Sequence, residues 1–435
     1  VGPVICDGMS HAEKGFLRNP SRKKEAVMRW KRFLSIVALV SAVGLGIGVC
    51  SMAQSNFMVQ CPADNDGIDA DGDGDPTNDI VCKHLTAGDG FATMADGTVM
   101  YTFGFSEVPE DVPPGQVFAL RQVKAELPGP TIVLREGQEL YLNLTNVGMI
   151  NRPDLFDTHS VHWHGIPNSG SIFDGLPESA PTVKIGATFP YYYATLGKEG
   201  TYFYHCHVEV TEHMQMGMIG QIYVLPRQDQ DMVLRSSGNP PYAGFAYNDG
   251  DGSTGYHVSK AIQLAGFDSR FHAQHIAIQN LPFAQLKDDY HLMNGRGYPD
   301  TINPNLLGAS PENNGHFSQR MDARIQARQG ERVLLRVHNI STTHLFTVRV
   351  LGIPMKVVGI DGKLLRNGSK DLFYETSSLT IGGGQAADLL LDTTGVPPGT
   401  YFFYTTNLSE LINGQEERGG IMTEIVVCPA SGCGT

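Results

Sequence analysis

Arg135-Glu-Gly-Gln-Glu-Leu-Tyr-Leu-Asn-Leu-Thr-Asn146 recurs downstream as Arg328-Gln-Gly-Glu-Arg-Val-Leu-Leu-Arg-Val-His-Asn339. Each copy reads as a turn followed by alternating apolar residues, the pattern of a half-buried strand. A second pair of landmarks follows, Gly200-Thr-Tyr-Phe-Tyr204 and Gly399-Thr-Tyr-Phe-Phe403, 65 residues on in the first copy and 71 in the second. A repeat of this length predicts an all-β chain of two sandwich domains, at 91–226 and 276–428. Residues 227–275 join them and carry Ser-Ser-Gly-Asn-Pro-Pro and Asn248-Asp-Gly-Asp-Gly, so they read as mostly loop. Residues 429–435 form a short tail.

Composition agrees with that outline. The 435 residues include 50 Gly and 25 Pro, which favours turn-rich β structure over long helices. Apolar residues make up 41% and charged residues 18%, enough for buried cores. The formal net charge is −13 and the body of the chain has no Lys/Arg block, which argues against nucleic acid as a partner.

The N-terminal region reads as an address. Arg29-Trp-Lys-Arg32 precedes an uncharged, mostly apolar run from Phe33 to Val49, and Ser51-Met52-Ala53 offers small residues where a signal peptidase reads. Residues 1–53 are therefore expected to be an upstream segment and signal peptide, with export to the periplasm, cell surface or exterior. The alternative is a retained anchor. Residues 54–90 follow as an acidic segment, with a loop between Cys61 and Cys82 that those cysteines would clip. Its centre is Asp69-Ala-Asp71-Gly-Asp73-Gly-Asp75, a spacing that lets oxygens wrap one hard cation. It resembles the calcium loops of EF-hand and thrombospondin type 3 repeats, which implies calcium at Asp69, Asp71, Asp73 and Asp75. The closing Glu of an EF-hand is missing and Pro76 interrupts the loop; a solvated acidic linker is the other reading. Cys428 and Cys433 offer a second small clip.

The redox chemistry is concentrated in His159-Ser-Val-His162-Trp-His164-Gly165 and His205-Cys206-His207-Val-Glu-Val-Thr-Glu-His213-Met-Gln-Met-Gly217-Met218. Alternate side chains of a strand share a face. Cys206 would then point away from His205 and His207, which point together, as do His162 and His164. This predicts two metal sites back to back. Cys206, His159 and His213, with Met218 as a weak axial thioether, make the donor set of a type 1 (blue) copper. His162, His164, His205 and His207 form an all-imidazole cluster for further copper, and the 205–206 and 206–207 peptides link the two sites.

These motifs resemble those of the multicopper oxidases, the family that includes laccases and copper nitrite reductases. The likeness runs from Leu127-Pro-Gly-Pro-Thr131 to about Val427 and takes in Asn294-Gly-Arg-Gly-Tyr-Pro-Asp300 and Val358-Gly-Ile-Asp-Gly362. It implies two Greek-key cupredoxin domains. It also implies oxidation of a small-molecule or metal-ion reductant at the type 1 copper, and reduction of O2 or nitrite at a type 2/type 3 cluster. One departure matters. Family oxidases draw eight His from two domains, whereas the repeat sets Tyr404, Thr405 and Thr406 against His205, Cys206 and His207, and Ile421 against Met218. In the second domain only His344 stands where imidazoles are expected. Two functions stay open: a secreted copper oxidoreductase, its cluster completed across a homotrimer boundary, or a non-catalytic blue-copper carrier.

Overall fold

The repeated stretch is strand in both copies, at Glu139–Gly148 and Arg332–Asn339. The computed structural model describes residues 61–167 and 170–433, so the export segment expected over 1–53 lies outside the described residues. The first sandwich comprises β1 (Ile80–Thr93), β2 (Val99–Glu107), β3 (Gly129–Arg135), β4 (Glu139–Gly148), β5 (His162–His164), β6 (Thr188–Ala194), β7 (Gly200–His205) and β8 (Ile219–Leu225). One sheet runs β2-β1-β4-β6 and the other β3-β8-β7-β5. A short helix, α1 (Val210–Gln215), fills the gap between β7 and β8.

The second sandwich repeats the plan. It is built from β9 (Val258–Phe267), β10 (Tyr290–Met293), β11 (Ile325–Arg328), β12 (Arg332–Asn339), β13 (Phe346–Val350), β14 (Met355–Ile360), β15 (Leu379–Ile381), β16 (Ala386–Asp392), β17 (Gly399–Thr405) and β18 (Met422–Cys428). Its sheets run β10-β9-β12-β16-β14 and β11-β18-β17-β13-β15. The correspondence reaches the pairing itself: β1 lies parallel to β4, and β9 lies parallel to β12.

The structure differs from the sequence expectations in three respects. The acidic segment expected to reach residue 90 gives way at Ile80 to β1, because Ile80–Leu85 pairs in parallel with Glu139–Leu144. The stretch 227–275 is not mostly loop: it holds the strand pair Gly244–Phe245 and Gly255–Tyr256, all of β9, and α2 (Ser269–Ile276). The repeated strand is not half-buried either. Val333, Leu335 and Val337 of β12 enter the second core, and Leu334 on the opposite face packs with Tyr247, Tyr256, Val358 and Leu390. The 244–256 pair covers the face that alternation would have left wet.

The two sandwiches meet along β7, β12 and β16. Leu127, Phe203 and Ile219 of the first join Phe267, Leu292 and Ile340 in one apolar seam. Beside it sits a buried polar knot. Thr201 Oγ1 donates to Asp388 Oδ1 at 2.6 Å, and Tyr247 Oη donates to Asp388 Oδ2 at 2.5 Å. Arg336 Nη1 lies 3.7 Å from Asp388 Oδ1 and donates to Thr201 Oγ1 at 3.2 Å. Arg336 and Asp388 are both cut off from water, so removing one leaves the other as an unpaired buried charge. Asp388→Ala is expected to cost about 3–5 kcal/mol of stability. Guanidinium unfolding of the two proteins measures it, and a loss under about 1 kcal/mol would contradict the burial argument.

Candidate metal centre

β7 ends at His205, and Cys206 is the first residue beyond it. The expected strand alternation across 205–207 is therefore corrected: the chain leaves the sheet, yet the thiol and the imidazoles still diverge. Backbone bonds fix the thiol. The Cys206 N–H donates to the Met218 carbonyl at 3.1 Å, and the Met218 N–H donates to the His213 carbonyl at 2.8 Å. Between them Gly217 adopts φ +111°, and a Cβ there would stand 2.9 Å from the Phe103 carbonyl. A side chain at 217 would force this turn apart.

This turn gathers the sulfur set. Cys206 Sγ lies 3.2 Å from His213 Nδ1 and 3.9 Å from His159 Nδ1, and the three donor atoms lie within 4.8 Å of one another. All three residues are buried, and Cys206 is the free cysteine among the described residues. The Ser160 N–H donates to Sγ at 3.4 Å. Met218, fully buried, shares the apolar core with Cys206 and Met216. The structure thus brings Cys206, His159 and His213 together and places Met218 on the adjoining backbone.

Electrostatics differ between the two rings. Burial holds His159 well below its usual range, so the ring is neutral and one of its nitrogens carries a free lone pair. Burial also opposes charge on His213, but the Cys206 sulfur and the Asp157 carboxylate outweigh it and raise the ring to about 10. Asp157 Oδ2 stands 3.8 Å from His213 Nε2. Asp157 escaped the sequence reading because nothing in its local pattern marks it.

The four remaining histidines line a cleft of about 500 Å³ on the other side. Nitrogens of His162, His164 and His205 come within 4.8 Å of one another, and His164 Nδ1 and His205 Nε2 are 3.2 Å apart. His207 is not in that close trio; its ring centroid is 5.0 Å from that of His162 and 5.7 Å from that of His205. Trp163, between two of these residues on β5, points into the core as strand alternation requires. Burial lowers His162, His164 (to about 4) and His205 (well below its usual value), which leaves them neutral at pH 7. His162 Nδ1 contacts the Asp174 carbonyl at 2.7 Å, an orienting bond of the sort metal-ligating imidazoles make.

The cleft's far wall comes from the second sandwich of the same chain: Ser341 to Leu345, with Gly383 and Gly384. His344 sits in that wall, 3.7 Å from Asp288 Oδ2 and 3.6 Å from Glu410 Oε1. Its contact with Glu410 raises its pKa, burial opposes the rise, and Asp288 adds to it. Where the first sandwich has its thiol, Thr405 is buried and hydrogen-bonded to Glu410, and Ile421 is packed in the core. Among the described residues, no close trio of His, Cys, Asp or Glu donors lies in the second sandwich. His272 and His275 are structural: His272 Nδ1 meets the Tyr101 carbonyl at 2.6 Å, and His275 Nε2 meets Glu212 Oε1 at 2.8 Å.

Two family models, both described as multicopper oxidase, match residues 112–229 and 266–425. Among curated relatives, Laccase-3 of Oryza sativa subsp. japonica is 23% identical over 282 residues, 64% of this chain and 41% of that protein. Laccase-3 of Thanatephorus cucumeris is 26% identical over 288 residues, 63% of this chain and 41% of that protein. The chain thus spans about two fifths of the length of these relatives. Among solved structures, the blue copper oxidase from Nitrosomonas europaea superposes with a TM-score of 0.58 at 21% identity, over 80% of this chain and 86% of that one. Copper nitrite reductase from the same organism gives 0.52 at 18% identity, over 80% and 94%. These likenesses establish the cupredoxin-like fold.

The raised His213 has a measurable consequence. In the metal-free protein its charged form supplies stability that is fully present below about pH 6.5 and is lost as the pH rises through about 10. A metal taking Nδ1 at pH 7 must displace a proton. Calorimetric metal titration in buffers of different ionisation enthalpy is expected to show release of at least one proton per sulfur site, and none would refute the assignment.

Proposed function

Because the chain belongs to the multicopper oxidase family, we propose that it is a copper oxidoreductase that takes electrons singly from a small-molecule or metal-ion reductant and passes them to O2. The observation that carries this reading is Cys206 Sγ standing between two imidazole Nδ1 atoms, one residue from a ring that faces the cleft. One thiolate and two neutral-capable imidazoles, with a thioether nearby, suit copper in its type 1 form. Cys206, His159 and His213 would hold it, with Met218 as the weak fourth donor. His162, His164 and His205, joined by His207, would hold type 2/type 3 copper. Bound there, the metal would supply one-electron storage at the sulfur site and an O2-reducing centre at the cleft.

The chain's own groups do the rest. The peptide joining His205 to Cys206 is the shortest covalent link between the two donor sets. Asp174 orients His162. Reduction of O2 consumes protons, and His344, braced by Asp288 and Glu410, holds one at the cleft wall. That wall belongs to the same chain, which supports a cleft closed within one subunit over the expected completion across a homotrimer boundary. Export is part of the proposal. The Arg/Lys-flanked apolar run and the disulfides Cys61–Cys82 and Cys428–Cys433 suit an oxidising compartment. Among the described residues no helix is long and apolar enough to cross a membrane.

A specific observation favours a second reading. Among the described residues the second sandwich puts only His344 in the cleft lining, with the His291 ring 5.0 Å behind it, where four imidazoles would complete the cluster; on this reading the protein would carry electrons without turning O2 over. Copper counting by electron paramagnetic resonance, together with O2 uptake, separates the two. The oxidoreductase should show type 1 signal plus further copper and consume O2 with a phenolic or metal-ion donor. Cys206→Ser is expected to abolish the thiolate–copper band with the fold intact, and a surviving band refutes the type 1 set. The His162→Ala, His207→Ala pair should keep the band and lower the copper content; an unchanged copper-to-protein ratio would show that the cluster holds no metal. His344→Gln is expected to slow O2 uptake several-fold without moving the visible band. Equal rates across the pH range would remove His344 from the proton path.

A further inference from the structure

The disulfide-clipped loop 61–82 carries seven aspartates, and hydrogen bonds assign most of them to holding the chain. The Asp79 carboxylate accepts from the Ala70 and Asp71 N–H groups at 2.7 and 2.9 Å, and Asp64 accepts from the Asp79 N–H at 2.7 Å. Asp75, expected from the sequence to be a ligand, is instead turned onto Thr77, whose hydroxyl donates to it at 2.6 Å. Asp66 accepts from the Ile68 N–H at 2.7 Å. Asp69, Asp71 and Asp73 also accept backbone N–H bonds, from Gly72 and Gly74, from Asp73 and from Asp75 respectively, yet one oxygen of each converges within 4.8 Å of the other two.

Convergence of acids alone identifies nothing, but two buried oxygens here lack partners. Asp71 is fully buried, and its Oδ2 makes no hydrogen bond. The nearest cation is Arg135 Nε, 4.0 Å away, beyond hydrogen-bonding reach. Asn78 Oδ1 is likewise buried without a partner, on the amide whose nitrogen donates to Asp73 Oδ2 at 3.0 Å. A buried carboxylate oxygen with no donor costs several kcal/mol unless a cation meets it.

We propose that Asp69, Asp71 and Asp73 hold one Ca2+ ion, with Asn78 Oδ1 at the edge of the site. The donors are all oxygen, which suits a hard cation rather than copper. Three carboxylates on an irregular loop suit calcium, with its variable coordination, rather than the smaller, strictly octahedral magnesium. The loop is not a free appendage. Gly137, in the turn between β3 and β4, lies so close that a Cβ would stand 2.1 Å from the Ala70 carbonyl. The Asp79 carbonyl accepts from the Glu139 N–H at 2.8 Å, where β1 begins to pair with β4. Calcium in the loop would therefore brace the edge of the first sandwich.

The test is calorimetric titration of the full copper-loaded chain with CaCl2, after dialysis to remove calcium, paired with thermal melting. One equivalent is expected to bind with a dissociation constant below about 1 mM, the weak end for extracellular calcium modules. The melting temperature should rise with calcium and the visible copper band should stay fixed. Asp71→Asn and Asp73→Asn should each weaken binding at least about ten-fold; Asp73 is exposed, so that variant folds even if the buried one does not. Absence of binding heat and of any melting shift at about 1 mM Ca2+ would overturn the site. Wild-type affinity in Asp73→Asn, or tighter binding of Mg2+ than of Ca2+, would do so as well.

Discussion

The end of β7 is the constraint on which the rest depends. Its last residue turns an imidazole toward the cleft, and the next turns a thiol into the core of the first sandwich. Two backbone hydrogen bonds, Cys206 to Met218 and Met218 to His213, lock that divergence and set the sulfur beside both imidazoles. Without them the thiol would be one more small apolar side chain in a β core. With them, a single peptide joins two donor sets of different softness.

Most of the fold was legible because the repeat was. Matching strands at 139–148 and 332–339 implied matching sandwiches, and even the parallel pairing of the preceding strand recurs. The places that misled share one physical cause. Ile80–Thr93 and Val258–Phe267 are strands only because a distant strand offers its edge, and the outer face of β12 is dry only because residues 244–256 fold over it. Local pattern does not encode a partner roughly 60 to 90 residues away.

The site shows the same division. His159, Cys206 and His213 were readable from type and spacing, because softness and geometry restrict what such a set can do. His207 was grouped with its neighbours by alternation; it lines the same cleft with its ring centroid 5.0 Å from that of His162, although its nitrogens fall outside the close trio. Asp157, Asp174 and the Asp288–Glu410 brace around His344 carry no motif. They are carboxylates and a carbonyl brought alongside by tertiary packing, and single-sequence reading has no signal for them. In the second sandwich the position equivalent to the thiol holds a threonine–glutamate hydrogen bond, so the repeat keeps the scaffold and exchanges a metal donor set for a polar network.

The short helix between β7 and β8 belongs to both compartments. His213 faces the sulfur pocket, while Val210, Thr211 and Met214 line the histidine cleft. A change in the length or pitch of that one turn would shift the walls of both rooms together. With metals held as proposed, any drift in the reduction potential of one centre would be tied to a change in access to the other, so neither could be retuned alone through this segment.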